Sequence, residues 1–476
     1  MENQYKGRKA VVLGLGKSGV AAAKLLYACG AEITVNDRKD YNEVASEAEC
    51  LRQQGIDVIT GYHPEDLLDG GIDFIVKNPG IPYHISLIEE AVRRNIPIIT
   101  EIELASQIVE GEFIGITGSN GKTTTTTLVG EMLKQAGQQA HVGGNIGTPL
   151  SDIVMQEQKT ATGNSSAMKQ PIVIDEPIVL ELSSFQLQGT DRFRPQIAAI
   201  LNVYPTHLDY HQTLEQYVRA KGMIFKNQRP GDTLLLNADQ THFESDYAQI
   251  QSEIIFCSRF QPKKFGFVVD NDEIVYRTEQ RKVPICSVED IRIPGKHNLE
   301  NVLFAAAVAT LKQVSPEVIR QTLMHFQGVE HRLELVGEFQ GVKYYNDSKA
   351  TNQQATSQAL RAFSDKVILI AGGLDRGNDF DDLVSDLQTS VQAMIVFGQT
   401  AGKLADAGKK AGINDLHTVN NLEDAVEFAR NLAKPRDIVL LSPACASWDM
   451  FSSFEERGRM FKQYILKAET DSFHIK

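Results

Sequence analysis

Between Thr117 and Thr124 the chain reads Thr-Gly-Ser-Asn-Gly-Lys-Thr-Thr. Gly118 and Gly121 let the backbone curl so that successive N–H groups can face phosphate oxygens. Lys122 supplies a mobile positive charge and Thr123 a hydroxyl able to ligate Mg2+. A helix opening here adds the positive end of its dipole. Ile116 stands where the commonest phosphate-loop spacing has its first glycine, so the motif is a TGxxGKT variant. An ordinary strand-to-helix turn does not need this combination, and ATP binding is the chemistry it predicts. The run from Thr123 to Thr127 is poor helix material, because β-branched side chains lose χ1 freedom. Such a local conflict is expected where function sets the sequence.

Other groups could act beside a bound nucleotide. Glu181 lies at the end of the apolar run Ile178–Leu182, the position where α/β sheets place ligands, and its carboxylate could complete a Mg2+ shell. The next apolar run leads into Asn202-Val-Tyr-Pro-Thr-His207-Leu-Asp-Tyr-His211. Histidine is an unusual Mg2+ ligand, and from composition His211 reads as a surface-loop residue. Lys221 falls on a helical stretch, where a solvated lysine is the plain expectation. A second glycine motif, Gly14-Leu-Gly-Lys17-Ser18-Gly19, follows the first apolar run, with Asp37 eighteen residues further on. This is a dinucleotide-type fingerprint. What it recognises physically is a diphosphate at a helix N-terminus, so a nucleotide-sugar diphosphate suits it as well as NAD does.

The elements that must hold these groups alternate. Strands are predicted at Lys9–Leu13, Ile33–Asn36, Asp57–Thr60, Phe74–Lys77 and Ile98–Thr100, with helical spacing between them. Further strands are predicted at Phe113–Thr117, Ile178–Leu182, Ile197–Val203 and Thr233–Asn237, and the helix after the phosphate loop should stop at Gly137. A last set comprises Val342–Tyr345, Val367–Ala371, Met394–Phe397 and Ile438–Leu441. Alternation of this kind predicts parallel α/β sheets. The 476 residues, at roughly 150 per domain, give three α/β domains: 1–100 Rossmann-like, 101–328 a central P-loop ATPase-like domain, and 329–476 again Rossmann-like. The polar stretch Gln156–Gln170 reads as a surface insertion.

Composition narrows the partners. Lys plus Arg number 48 and Asp plus Glu 61, a net charge of −13, which disfavours nucleic acid and anionic lipid. No apolar run approaches the roughly 20 residues that span a bilayer. Five cysteines without a CxxC pair fit neither a disulfide framework nor a structural zinc site. A reduced, cytoplasmic enzyme is expected.

Taken in order, the motifs resemble the Mur ligase family, the ATP-driven amide-forming enzymes that build the peptide stem of peptidoglycan. The resemblance runs through Gly14–Gly19, Asn78-Pro-Gly80, Thr117–Thr124, Gly143-Gly-Asn145-Ile-Gly147, Glu181–Leu187 and Asn202–Asp209. It continues through His297-Asn298, His331-Arg332, Asn346-Asp-Ser-Lys-Ala-Thr-Asn352, Leu441-Ser-Pro-Ala-Cys-Ala-Ser447 and Phe454-Glu-Glu-Arg457-Gly458. The Asn346–Asn352 and Leu441–Ser447 segments point to the D-glutamate-adding branch. Departures are Trp448, where a smaller residue is common, and Arg376 in place of a lysine, which exchanges a point charge for a planar fork.

The resemblance implies that D-glutamate is joined to UDP-N-acetylmuramoyl-L-alanine through an acyl phosphate, with release of ADP and phosphate, by a cytoplasmic monomer. Gly118, Ser119, Asn120, Gly121, Lys122, Thr123, Thr124, Asn298, Asn301, Arg332 and Asp347 would bind ATP. Two Mg2+ ions would be held by Thr123, Glu181, His207 and Lys221, the last as a carbamate, and Lys122, Glu181, His207 and Lys221 would be the catalytic set. Lys17, Ser18, Asp37, Arg38, Asn78, Gly80 and Asn145 would bind the UDP substrate. Lys349, Thr351, Arg376, Ser447 and Phe454 would position D-glutamate. Competing readings are a sister ligase for another amino acid, an ATP-switched binding protein, and a dehydrogenase built on Gly14–Gly19.

Overall fold

Three sheets form from these alternating runs in the computed structural model, which describes residues 3–162, 171–261, 264–377 and 379–473. By packing, the chain divides into two units. One comprises Met1–Val288 with Glu300–Thr322, the other Glu289–Leu299 with Leu323–Lys476.

The first unit holds two sheets. Asp57–Thr60, Glu32–Asp37, Lys9–Leu13, Phe74–Lys77 and Ile98–Ile99 lie side by side in that order, all parallel. The order reverses at Lys9–Leu13, and the crevice there is where such sheets bind ligands. The second sheet has nine strands. Its parallel part runs from His141–Gly144 through Ile172–Glu181, Val109–Thr117, Ile197–Ile200, Thr233–Asn237 and Glu253–Ser258 to Gly266–Asp270. Glu273–Arg277 and Lys282–Ser287 extend it antiparallel. The central strands of this sheet are buried on both faces, which is why Ile178–Leu182 and Thr233–Asn237 read as near-continuous apolar runs.

Helices Lys17–Ala28, Glu101–Ser106 and Leu150–Thr162 pack on one another. Leu25, Leu104 and Val154 join them in one apolar core with strands of both sheets. This corrects the expectation for 156–170. Residues through Thr162 are helical, because Ile153 and Val154 seat the helix on the core and carry its polar side along. Residues 163–170 lie outside the described residues.

The second unit holds six strands in the order Glu334–Phe339, Val342–Asn346, Ile438–Leu441, Val367–Gly372, Val391–Phe397 and Asp415–Thr418. Only the first pair is antiparallel. Apolar cores cover both faces, one around Leu369, Leu404 and Leu440, the other around Ile370, Val439 and Phe461. No helix among the described residues is long and apolar enough to cross a membrane.

Candidate active site

The strand Val109–Thr117 delivers the phosphate loop, and the helix Lys122–Gln135 begins directly after it. Gly121 sits at φ +83° as the cap of that helix. A side chain there is excluded twice, by the left-handed backbone and because a Cβ would lie 1.9 Å from Asn301 Oδ1. Asn301, buried, thus packs against the loop it was expected to join. The neighbouring strand's exit holds the loop from the other side. Ser119 N donates to Asn202 O (2.9 Å), and Asn120 N donates to Asn202 Oδ1 (2.9 Å). Asn202 in turn donates to Glu300 Oε1 (2.6 Å). Asn202 and Glu300 carry this loop without having been singled out in the sequence.

Lysines converge on the loop. Lys122 Nζ donates to Gly118 O (2.9 Å) and Ser119 O (3.0 Å). Lys221 Nζ donates to the same Gly118 O (2.7 Å) and to Thr117 Oγ1 (3.4 Å), and lies 4.6 Å from the centre of the Tyr217 ring. The expected solvated lysine is instead 1% exposed. Burial, with the charge of Lys122, holds its ammonium well below the usual lysine range against the opposing pull of Glu181.

Glu181 ends its strand as predicted. Asn145 Nδ2 donates to its Oε1 (2.7 Å), while Oε2 is buried with no hydrogen-bond partner. Such an orphan carboxylate oxygen is costly unless something else occupies it. No group of three or more His, Cys, Asp or Glu gathers among the described residues. A cation here would take few protein oxygens and complete its shell with phosphate and water, the habit of Mg2+. Glu181 Oε2 and the Thr123 hydroxyl fit that use.

His207 caps a four-residue helix, Leu208–His211, from a left-handed backbone at φ +56°. Its exposed ring meets Phe185 edge-on (5.1 Å) and Tyr217 (6.4 Å). His211 corrects the surface-loop reading. It is buried, stacks on Phe185 at 5.2 Å and shares a 2.9 Å hydrogen bond with Ser184 Oγ. Phe185 lies 26 positions away in sequence, so only tertiary packing could reveal this. Tyr217 OH also shares a 3.0 Å hydrogen bond with Ser119 Oγ. The aromatic cluster therefore links His207 to the phosphate loop.

At the first sheet, Lys17, Ser18 and Arg38 are exposed or half-exposed at the strand ends. Asp37 accepts from Leu15 N (2.7 Å) and Lys39 N (2.9 Å), so it braces the glycine loop. Asn78 packs into that loop, and a Cβ on Gly16 would meet its Nδ2 at 2.4 Å. Lys77, not singled out in the sequence, is wholly buried just behind Asn78 and Gly80.

In the second unit, Lys349 and Thr351 follow the strand Val342–Asn346, Arg376 follows Val367–Gly372, and Ser447 follows Ile438–Leu441. These strands are parallel neighbours, so the loops leave from one edge of the sheet. Lys349 Nζ is 5.7 Å from the centre of the Phe454 ring, and the Arg376 guanidinium is 5.0 Å from that of Trp448. Asp347 accepts from Ser442 Oγ (2.8 Å) and Leu333 N (3.2 Å). Burial pushes its carboxyl up to about 7, against Ser442 and Arg332. Asn298 Nδ2 donates to Pro294 O (2.5 Å). Arg457, wholly buried, donates from Nη2 to Ser348 O (2.9 Å) and Cys445 O (3.0 Å) and from Nε to Ser348 Oγ (3.0 Å). One guanidinium thus fastens two of the loops together.

Residues 8–100 match the Mur ligase MurD-like N-terminal domain, 116–309 the Mur ligase middle domain, and 331–445 the Mur ligase glutamate ligase domain. The chain is 47% identical to UDP-N-acetylmuramoylalanine–D-glutamate ligase of Geobacillus kaustophilus, over 98% of this chain and 99% of that one. It is 46% identical to the protein of that name in Streptococcus mutans, over 96% of each. Among solved structures, UDP-N-acetylmuramate-alanine ligase MurC of Thermotoga maritima shares the fold with a TM-score of 0.53 at 17% identity, covering 97% of this chain and 99% of that one. MurF ligase of Thermotoga maritima in complex with ADP does so with a TM-score of 0.52 at 15% identity, covering 98% and 97%. The chain belongs to the Mur ligase family, alongside the UDP-N-acetylmuramoylalanine–D-glutamate ligases.

Proposed function

We propose that the protein is an ATP-dependent ligase that joins D-glutamate to UDP-N-acetylmuramoyl-L-alanine, releasing ADP and phosphate, in peptidoglycan precursor synthesis. The observation that carries this reading is the 46–47% identity, over nearly the whole chain, to ligases named for that product. A carboxylate does not react with an amine at neutral pH, because its charge repels the nucleophile and oxide is a poor leaving group. Transfer of the terminal phosphoryl group of ATP to that carboxylate gives an acyl phosphate. The D-glutamate amine attacks it, and the tetrahedral adduct expels phosphate. The protein positions the partners and neutralises charge.

Lys122 and the loop N–H groups that Asn202 does not hold, those at the start of the helix, take the ATP phosphates, with Lys122 exchanging Gly118 O and Ser119 O for phosphate oxygens. Asn298, Asn301, Arg332 and Asp347 are the further nucleotide contacts. Thr123, Glu181, His207 and a carbamylated Lys221 hold two Mg2+ ions, whose chemistry is to offset charge on the phosphates. A buried lysine whose proton is held loosely presents the free amine that carbamylation by CO2 requires, and the orphan Glu181 Oε2 supports a cation beside it. Residues 1–100, through Lys17, Ser18, Asp37, Arg38, Asn78 and Gly80, bind the uridine diphosphate, and Asn145 reaches the muramoyl-alanine end. Residues 329–476, through Lys349, Thr351, Arg376, Ser447 and Phe454, take D-glutamate, and 101–328 carry the ATP chemistry. The enzyme works as a cytoplasmic monomer.

The test is phosphate release from Mg-ATP with UDP-N-acetylmuramoyl-L-alanine, offering D-glutamate, L-glutamate, L-alanine and a diamino acid separately. Release that requires D-glutamate is expected. Release with another amino acid reassigns the substrate, and substrate-independent release overturns the ligase reading.

A further inference from the structure

Lys77 ends the strand Phe74–Lys77 and is 0% exposed. Its Nζ donates to Ile81 O (2.7 Å) and Pro79 O (3.2 Å), and Asn78 O is 3.3 Å away. These three carbonyls belong to the loop that packs Asn78 into the Gly14–Gly19 motif. A fourth acceptor, Tyr210 OH at 3.1 Å, comes from the helix Leu208–His211. Tyr210 OH lies 3.1 Å from Ile81 O and 3.2 Å from Pro79 O as well, closing the network. The Tyr83 ring centre, 4.5 Å from Nζ, walls the site. Tyr210 packs edge-on against Phe185 at 4.5 Å, the ring that His207 and His211 also touch.

We infer that Lys77 is a positioning residue for the UDP-substrate loop, tying Asn78–Ile81 through Tyr210 to the helix that His207 caps. The inference rests on the ligase reading. Burying an ammonium is costly, and burial pushes this one down to about 7. A methionine of similar volume would fill the space without that cost. The lysine's distinct contribution is therefore its three N–H donors, shared among four oxygens that side-chain packing cannot hold in place. Loop geometry is set by one group that answers to both sheets.

The test compares Lys77→Met and Tyr210→Phe with the wild type in the phosphate-release assay, varying each substrate in turn. Lys77→Met is expected to raise the KM for UDP-N-acetylmuramoyl-L-alanine at least tenfold, with the KM for ATP within twofold. Tyr210→Phe is expected to raise the former two- to fivefold. The double variant should raise it by less than the product of the two single effects, because both side chains bind the same carbonyls, those of Pro79 and Ile81, and each other. Unchanged UDP-substrate KM values, or equal rises for both substrates, overturn the positioning role. If Lys77→Met does not fold, Tyr210→Phe decides by the same split. A wild type whose phosphate release ignores the UDP substrate would instead overturn the ligase reading, which separates the two failures.

Discussion

The phosphate loop of the first unit and the loops at the sheet edge of the second are both organised by cations, in opposite ways. Lys122 spends its donors on Gly118 O and Ser119 O, acceptors that a phosphate could replace. Arg457 spends its own on Ser348 and Cys445, deep under the loops and wholly buried. Under the proposed function, the first arrangement holds charge in reserve for a ligand. The second holds in place the backbone beside Lys349, Ser447 and Phe454. On that reading the half-buried Lys122 serves a ligand and the buried Arg457 serves the architecture, and their acceptors tell which.

Substitutions can break that contrast. Arg457→Ala should have the largest effect on folding, about 3 kcal/mol or more, because it orphans buried carbonyls. Urea unfolding would show it, and an unchanged midpoint would make Arg457 dispensable to these loops. Lys122→Ala should lower turnover about a hundredfold, about 2.7 kcal/mol of barrier, while leaving the unfolding midpoint nearly where it was. Retained turnover within a few-fold would contradict the ligand-facing role. Lys221→Ala should lower activity about tenfold or more, on the scale of one lost charge-bearing group, and short carboxylic acids should restore part of it. Full activity without them removes the carbamate from the scheme.

The smallest effect concerns Glu101, buried under the helix Leu150–Thr162, where it accepts from Ser151 N (2.5 Å). Burial pushes its carboxyl up to about 7 from an ordinary 4.5. The folded state therefore holds this proton more tightly than the unfolded one. The stability Glu101 contributes is complete below pH 4.5 and is lost as pH rises through about 7. Glu101→Gln should flatten that decline in urea titrations at pH 5 and pH 8. An equal pH slope in both proteins would assign the titration elsewhere.

Much of this was legible in sequence where chemistry and burial act locally. The strands Lys9–Leu13, Asp57–Thr60, Phe74–Lys77, Thr233–Asn237 and Ile438–Leu441 have the predicted bounds, since each is a short apolar run between turn residues. His141–Gly144 carries no strand signal, because half of it is glycine, and neither does Lys282–Ser287, which contains Pro284. Asp415–Thr418 has one aliphatic residue, as befits an edge strand. The phosphate loop announced itself because phosphate needs its glycines, lysine and threonine in sequence. Lys221 and His211 did not, because the groups they meet, Thr117 and Gly118 for one and Ser184 and Phe185 for the other, come from distant parts of the chain. Lys77 left a faint sign, a charge closing an otherwise apolar strand before Asn-Pro-Gly.

Trp448 is the single tryptophan of the chain. It is 64% exposed, with the Arg376 guanidinium lying over its ring. Indole emission moves to the red with water contact and is altered by a charge over the ring. Every photon of tryptophan fluorescence from this protein therefore originates one residue from Ser447 and under Arg376. Any small molecule that draws the guanidinium away or shields the indole changes the colour of the whole protein, making the second unit a reporter that needs no dye.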